Sequence, residues 1–95
     1  PEILIIVIKK YNKKIVMSFP MQLYFIAKCK TKTIIYNLVA ISEHSGGMNG
    51  GHYYAHCLRA DGWKLLNDNH VMDSEPQPNE NSYILFYHYI NIVNV

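Results

Sequence analysis

The chain has 95 residues, 49% of them hydrophobic and 17% charged, with a formal net charge of +2. That balance fits one small domain or part of a larger one and is too apolar for a disordered chain. Two cysteines with no CxxC pair exclude a disulfide scaffold and a recognisable zinc ribbon, and the opening apolar run is too short to cross a bilayer.

The net charge hides an asymmetry. Up to Lys32, seven lysines stand against Glu2 alone, whereas from Thr33 onward Lys64 and Arg59 stand against six acids. The basic half carries its lysines in pairs, Lys9-Lys10 and Lys13-Lys14, around a turn and with little aromatic interleaving. We read a solvated hairpin end there and expect no nucleic-acid partner. Eight tyrosines in so short a chain point to β-structure.

Residues 3–9 form a continuous β-branched run and predict a strand buried on both faces. No charged segment precedes the run and no small-residue cleavage site follows, so it does not read as a signal peptide, and no membrane partner is expected. The chain opens on proline inside this strand, which predicts further residues of the domain upstream. Residues 10–14 read as a turn, and 15–18 as a short strand pairing back on the first. After Pro20, residues 21–27 give another short strand and 28–32 a polar hairpin tip. Residues 33–43 predict a central strand, with Ile35, Asn37, Val39 and Ile41 on one face and Ile34, Tyr36, Leu38 and Ala40 on the other.

A glycine-rich loop follows, then strand 51–58, a tight Asp61-Gly62 turn and its hairpin partner 63–68. Residues 73–81 carry two prolines and several acids and read as an exposed loop. Residues 82–90 close the chain as an aromatic strand. Trp63, Tyr83, Phe86 and Tyr87 are expected in the core or on packed sheet faces. No long amphipathic helix is visible. The fold class is mostly β, an antiparallel sheet without internal repeats.

Chemistry concentrates at His52, where the glycine loop runs into a strand. An imidazole titrates near neutrality, so one ring can take a proton from a nucleophile and return it to a leaving group. Its second nitrogen needs an orienting partner. The hairpin offers one: either Asn67 or Asp68 can meet the ring, while the other faces away. His52, His56 and Cys57 do not read as metal ligands, because on a strand the two histidines lie roughly 13 Å apart. No metal and no cofactor are expected. His44 reads as a structural or loop-gating group, and His70 and His88 as surface or loop residues.

Several runs carry a resemblance: Tyr36-Asn37-Leu38-Val39-Ala40-Ile41, then His44, the glycines, Gly50-Gly51-His52-Tyr53, Trp63 with Asn67-Asp68, and Tyr83-Ile84-Leu85-Phe86-Tyr87. In that order they resemble the histidine-box half of a ubiquitin-specific protease catalytic domain. The opening proline-led strand ending in Lys9-Lys10-Tyr11 is similar to the same family. The resemblance implies the palm and fingers half of a papain-like α+β domain, with residues 1–95 as its C-terminal part. It implies a cysteine-type deubiquitinase that cleaves the bond after ubiquitin's C-terminal glycine.

By position His52 matches the catalytic histidine, Asn67 the third triad member and Asp68 its acidic neighbour. His44, Gly50, Gly51 and Tyr53 fall in the stretch that flanks the groove for ubiquitin's tail. A neutral asparagine suffices as orienter, because a thiolate already stabilises the imidazolium in Cys-His-Asn proteases. The family's cysteine box, with its nucleophile, is absent from this sequence, as are the paired CxxC zinc ligands. Leu66 stands where an aromatic is usual, a departure expected to affect packing. Neither Cys57, expected to face away from His52, nor Cys29, in a lysine-rich tip, reads as a replacement nucleophile.

The expected partners are ubiquitin or ubiquitinated proteins and the N-terminal half of the catalytic domain, in a reducing intracellular setting, cytoplasm or nucleus. The alternative is a non-catalytic ubiquitin-binding module on the same fold. An unrelated β-domain that binds peptides by strand addition is the third reading.

Overall fold

A computed structural model describes residues 2–9, 16–27, 31–46 and 51–94. Seven strands make up the described secondary structure: β1 (Ile3–Val7), β2 (Gln22–Ile26), β3 (Lys32–Ser45), β4 (His52–Arg59), β5 (Gly62–Asn67), β6 (His70–Asp73) and β7 (Ser82–Asn94). They form one antiparallel sheet in the order β1-β7-β3-β4-β5-β6, with β2 added on β3.

β3 is the strand on which the sheet is hung. One of its edges pairs with β7 from Lys32 to Glu43. The other edge is shared: β2 takes its first half, ending at the Gln22–Asn37 pair, and β4 takes its second half from Ala40. This division explains the elongated outline of 47 × 34 × 19 Å. The core lies over one face at the junction, where Tyr36, Leu38, Ile41, Leu85 and Tyr87 are buried together with Ile8. The Tyr87 hydroxyl donates to the Pro20 carbonyl at 2.8 Å, and burial pushes its phenol pKa up.

The strict alternation expected along β3 does not hold. Leu38 and Ile41, three residues apart, are both buried. The register against β7 shifts between Leu38 and Ala40, so an extra residue there flips the inward phase. The bulge turns Ile41 and Glu43 inward on the face that carries Leu38.

Other expectations change as well. β1 is an edge strand rather than one covered on both faces, and Ile3, Ile5 and Val7 are exposed. It pairs with β7, and residues 16–18, expected to pair back on it, are irregular; the turn expected at 10–14 and Ile15 lie outside the described residues. β2 and the hairpin pairing with β3 are found, while residues 28–30 at the tip, including Cys29, lie outside the described residues. β6 is an additional short strand with every residue exposed, and β7 runs four residues past the expected end. The 73–81 segment is not wholly exposed: Pro76 is buried, and Ser74 and Asn79 are half-buried. Trp63 packs on the core and Phe86 is half-buried, but Tyr83 is exposed.

Candidate active site

The β4–β5 hairpin builds the site. Asp61 and Gly62 close it, and Gly62 has φ +113°, a conformation that suits glycine. Antiparallel pairing then sets Arg59 opposite Gly62 and Ala55 opposite Leu66. Extending that register places Asn67 diagonally across from His52 on the same face. His52 Nε2 lies 2.5 Å from Asn67 Oδ1.

An amide oxygen can only accept, so this contact fixes the proton of the neutral ring on Nε2. Nδ1 is left with its lone pair, the form required of a base. Both residues are half-buried, so the ring is held firmly yet stays in reach of a substrate. Asp68 does not share this contact. It lies beyond the strand in the turn to β6, exposed, with φ +53°, a left-handed conformation aspartate tolerates. Of the pair read from the sequence, Asn67 meets the imidazole.

The other named residues divide between the faces. Tyr53 and His44 are paired neighbours across β4 and β3, on the face opposite His52 by strand alternation. Their rings lie 4.4 Å apart, and the Tyr83 ring stands 6.4 Å from His44 and 6.5 Å from Tyr53. Gly51 links this cluster to the site. It has φ +139°, and a Cβ there would stand 2.4 Å from His44 Nε2 and 2.6 Å from the Ser45 carbonyl. Only glycine lets the His44 ring approach the backbone immediately before His52. Gly50 lies outside the described residues. Cys57 is half-buried and its odd spacing from His52 puts it on the opposite face of β4.

Sequence reasoning missed a second imidazole site. His56, inward on β4, places Nδ1 2.8 Å from Glu43 Oε2, and Glu43 is fully buried. His56 Nε2 lies 3.3 Å from Ser74 Oγ, and Asn79 Nδ2 donates to Glu43 Oε1 at 3.0 Å. The available signal was Glu43 itself, a carboxylate in a strand apolar on both sides, which demands a partner.

A family model for ubiquitin carboxyl-terminal hydrolase matches residues 1–87. Ubiquitin carboxyl-terminal hydrolase 2 of Homo sapiens is 34% identical over 103 residues, covering 92% of this chain and 17% of that protein. Ubiquitin carboxyl-terminal hydrolase 12 of Saccharomyces cerevisiae is 30% identical over 104 residues, with 92% and 8% covered. Among solved structures, a SAGA DUB module bound to monoubiquitin is similar with a TM-score of 0.82 and 29% identity, over 98% of this chain and 24% of that one. A second, bound to ubiquitin aldehyde, gives 0.81 and 27%, over 98% and 25%. The chain therefore spans a quarter or less of each of these proteins. Matched along most of its length, the chain belongs to the ubiquitin carboxyl-terminal hydrolase family, whose members are deubiquitinating cysteine proteases.

Proposed function

We propose that residues 1–95 supply the general base and its orienting group to a cysteine-type deubiquitinase, as the C-terminal part of its catalytic domain. The observation that carries this is the 2.5 Å contact of His52 Nε2 with Asn67 Oδ1. His52 Nδ1 takes the proton of a cysteine thiol, and the thiolate attacks the carbonyl of ubiquitin's C-terminal glycine. The imidazolium then gives that proton to the departing lysine amine, and a water activated by the same nitrogen releases the acyl group. Asn67 holds the ring through both halves of the cycle and accepts from Nε2–H in each protonation state. Asp68, the next residue, in the turn to β6, is the acidic neighbour of that orienter.

The nucleophile belongs to a cysteine outside these residues. Cys57 lies on the opposite face of β4 from His52, and Cys29 falls in a lysine-rich tip far from it in sequence, so we expect no turnover by the 95-residue chain alone. We assign His44, Gly50, Gly51 and Tyr53 to the ubiquitin tail; His44 and Tyr53 lie on the face opposite His52, so they would act through Gly51, whose close packing suits a narrow channel for a chain ending in glycine. The partners are ubiquitin or ubiquitinated proteins and the N-terminal half of the domain, in the cytoplasm or nucleus.

The test is hydrolysis of a ubiquitin C-terminal fluorogenic amide. The complete protein should cleave it and the isolated chain should not. Turnover by the isolated chain, lost in His52→Ala, would overturn the assignment of the nucleophile. Ubiquitin binding by the complete protein without hydrolysis would favour a non-catalytic binding module.

A further inference from the structure

The reaction makes no use of His56 or Glu43, yet both are buried, His56 on the strand that presents His52 and Glu43 on β3 opposite Tyr54. A carboxylate inside a sheet costs several kcal/mol unless its oxygens are satisfied. Both are: Oε2 accepts from His56 Nδ1–H at 2.8 Å and Oε1 from Asn79 Nδ2 at 3.0 Å. The order spreads into the loop before β7. Asn79 Oδ1 accepts from the Asn81 backbone N–H at 2.7 Å, and its Nδ2 also donates to the Gln77 carbonyl at 3.0 Å. Ser82, fully buried, donates its backbone N–H to the Asn79 carbonyl at 3.2 Å. Asn81 is thereby fixed, and its Nδ2 donates to the Tyr54 hydroxyl at 3.0 Å. The Tyr54 ring lies beside His52, with centroids 6.1 Å apart and planes 25° from parallel.

We infer that Tyr54 is a positioning residue for His52, and that the buried Glu43–His56 pair, acting through Asn79 and Asn81, holds Tyr54 in place. Asn67 engages His52 at one atom, and a single hydrogen bond leaves the imidazole free to swing about that axis. A neighbouring ring at a small interplanar angle limits the swing. The network supplies what the orienting amide cannot: the tilt of the ring, and so the direction in which Nδ1 points. For its effect on rate this rests on His52 being the general base, but its effect on the ring does not.

The variant that isolates the contact is Tyr54→Phe, which keeps the ring and removes the hydroxyl that Asn81 grips. In the complete protein, kcat for the ubiquitin amide should fall about threefold to tenfold with KM within about twofold, the scale of a misaligned reacting group. Glu43→Gln keeps the shape but turns an amide NH2 toward one of two donors, and should act in the same direction. Because both lie on one path, the double variant should lose no more than the worse single one.

A substrate-free readout accompanies the kinetics. In protein labelled at histidine carbons, the His52 Cε1–H resonance should shift in both variants, while that of exposed His70 stays put. An unmoved His52 resonance in Tyr54→Phe overturns the inference, as does an unchanged kcat in a protein whose turnover requires His52. If Glu43→Gln does not fold, Tyr54→Phe decides alone. A shifted His52 resonance in a protein that never cleaves ubiquitin supports the positioning network and overturns the deubiquitinase reading instead.

Discussion

His52 and His56 lie on the same face of β4, four residues apart, and each ring meets a side-chain oxygen at close range. Their surroundings differ. His56 is buried, with Glu43 on one nitrogen and Ser74 on the other, so every polar atom of the ring is occupied. His52 is half-buried and, among the described residues, its ring bonds Asn67 through Nε2. An imidazole bonded at both nitrogens can tie strands and a loop together, but has no lone pair free for a substrate proton. One bonded at a single nitrogen is oriented and still chemically open. The partner chemistry follows the same division. A carboxylate with two acceptor oxygens suits the closed site, where it can bond both the ring and Asn79, while an amide suits the open one, where it orients the ring through Nε2.

Exchanging the losses would break this comparison most sharply. His52→Ala in the complete protein should lower kcat/KM by about 10³-fold, within the range for a general acid–base group, and leave the denaturation midpoint nearly unchanged. His56→Ala should do the reverse. It strips Glu43 of its closest partner, and breaking a buried pair costs about 3 kcal/mol or more, read as a lower midpoint in urea. Equal stability losses for the two variants would erase the distinction. Asn67→Ala comes next: with the orienter gone, kcat should fall by roughly 10²-fold. Asn67→Asp should recover most of that rate, since a carboxylate oxygen can accept from Nε2–H in the same place.

The backbone before His52 gives a smaller effect that sharpens the same contrast. Gly51→Ala puts a Cβ 2.4 Å from the His44 ring and 2.6 Å from the Ser45 carbonyl, at a φ of +139°. The ring can rotate away, but the carbonyl belongs to the strand. The strain is about 1–3 kcal/mol. It should show as a lower melting temperature and a higher KM, since the distortion falls where the ubiquitin tail is proposed to enter. The equivalent change at Gly62, where an added Cβ has nothing within 4 Å, costs only the strained φ and should leave KM alone.

How far this was legible depends on the range of the forces involved. The His52–Asn67 contact was readable because a tight Asp-Gly turn fixes register and register fixes faces. That Asn67, not Asp68, turns inward was left open by spacing; the strand ending at Asn67 and the left-handed turn at Asp68 decide it. The inward face of β3 was misphased, because a bulge opposite β7 is set by packing against a distant strand and leaves no local sign. The Glu43–His56 network was hidden for the same reason, since Glu43 turns inward only after that bulge. β1 was misplaced because an unbroken β-branched run says that a strand exists but not how many neighbours it has. Asn79 and Asn81 sat in a segment whose prolines and acids read as solvent-exposed, although it straps the sheet beside the site.

The far side of the hairpin gives the mildest prediction, an ion-pair cluster in which a half-buried lysine meets two exposed carboxylates. Lys64 reaches Asp61 at 3.0 Å and also bonds to Asp73, both of them carboxylates standing in water. The hydrogen bond to Asp73, then that to Asp61, raises the Lys64 pKa. The Lys64 ammonium in turn lowers that of Asp61. A raised lysine pKa adds stability that is complete below the unfolded value and lost as pH climbs through the folded one. A lowered aspartate pKa adds stability that is complete above the unfolded value and lost as pH falls through the folded one. Stability from this cluster is therefore flat across neutrality and declines only toward the acid and alkaline ends. Lys64→Met should leave the melting temperature at pH 7 almost unchanged, because exposed pairs contribute little and salt screens them. Its small deficit should shrink further in 1 M salt, whereas the His56→Ala deficit should not. If both deficits faded together, the buried pair would be behaving as a surface pair, and the division between the closed and open histidines would lose its physical basis.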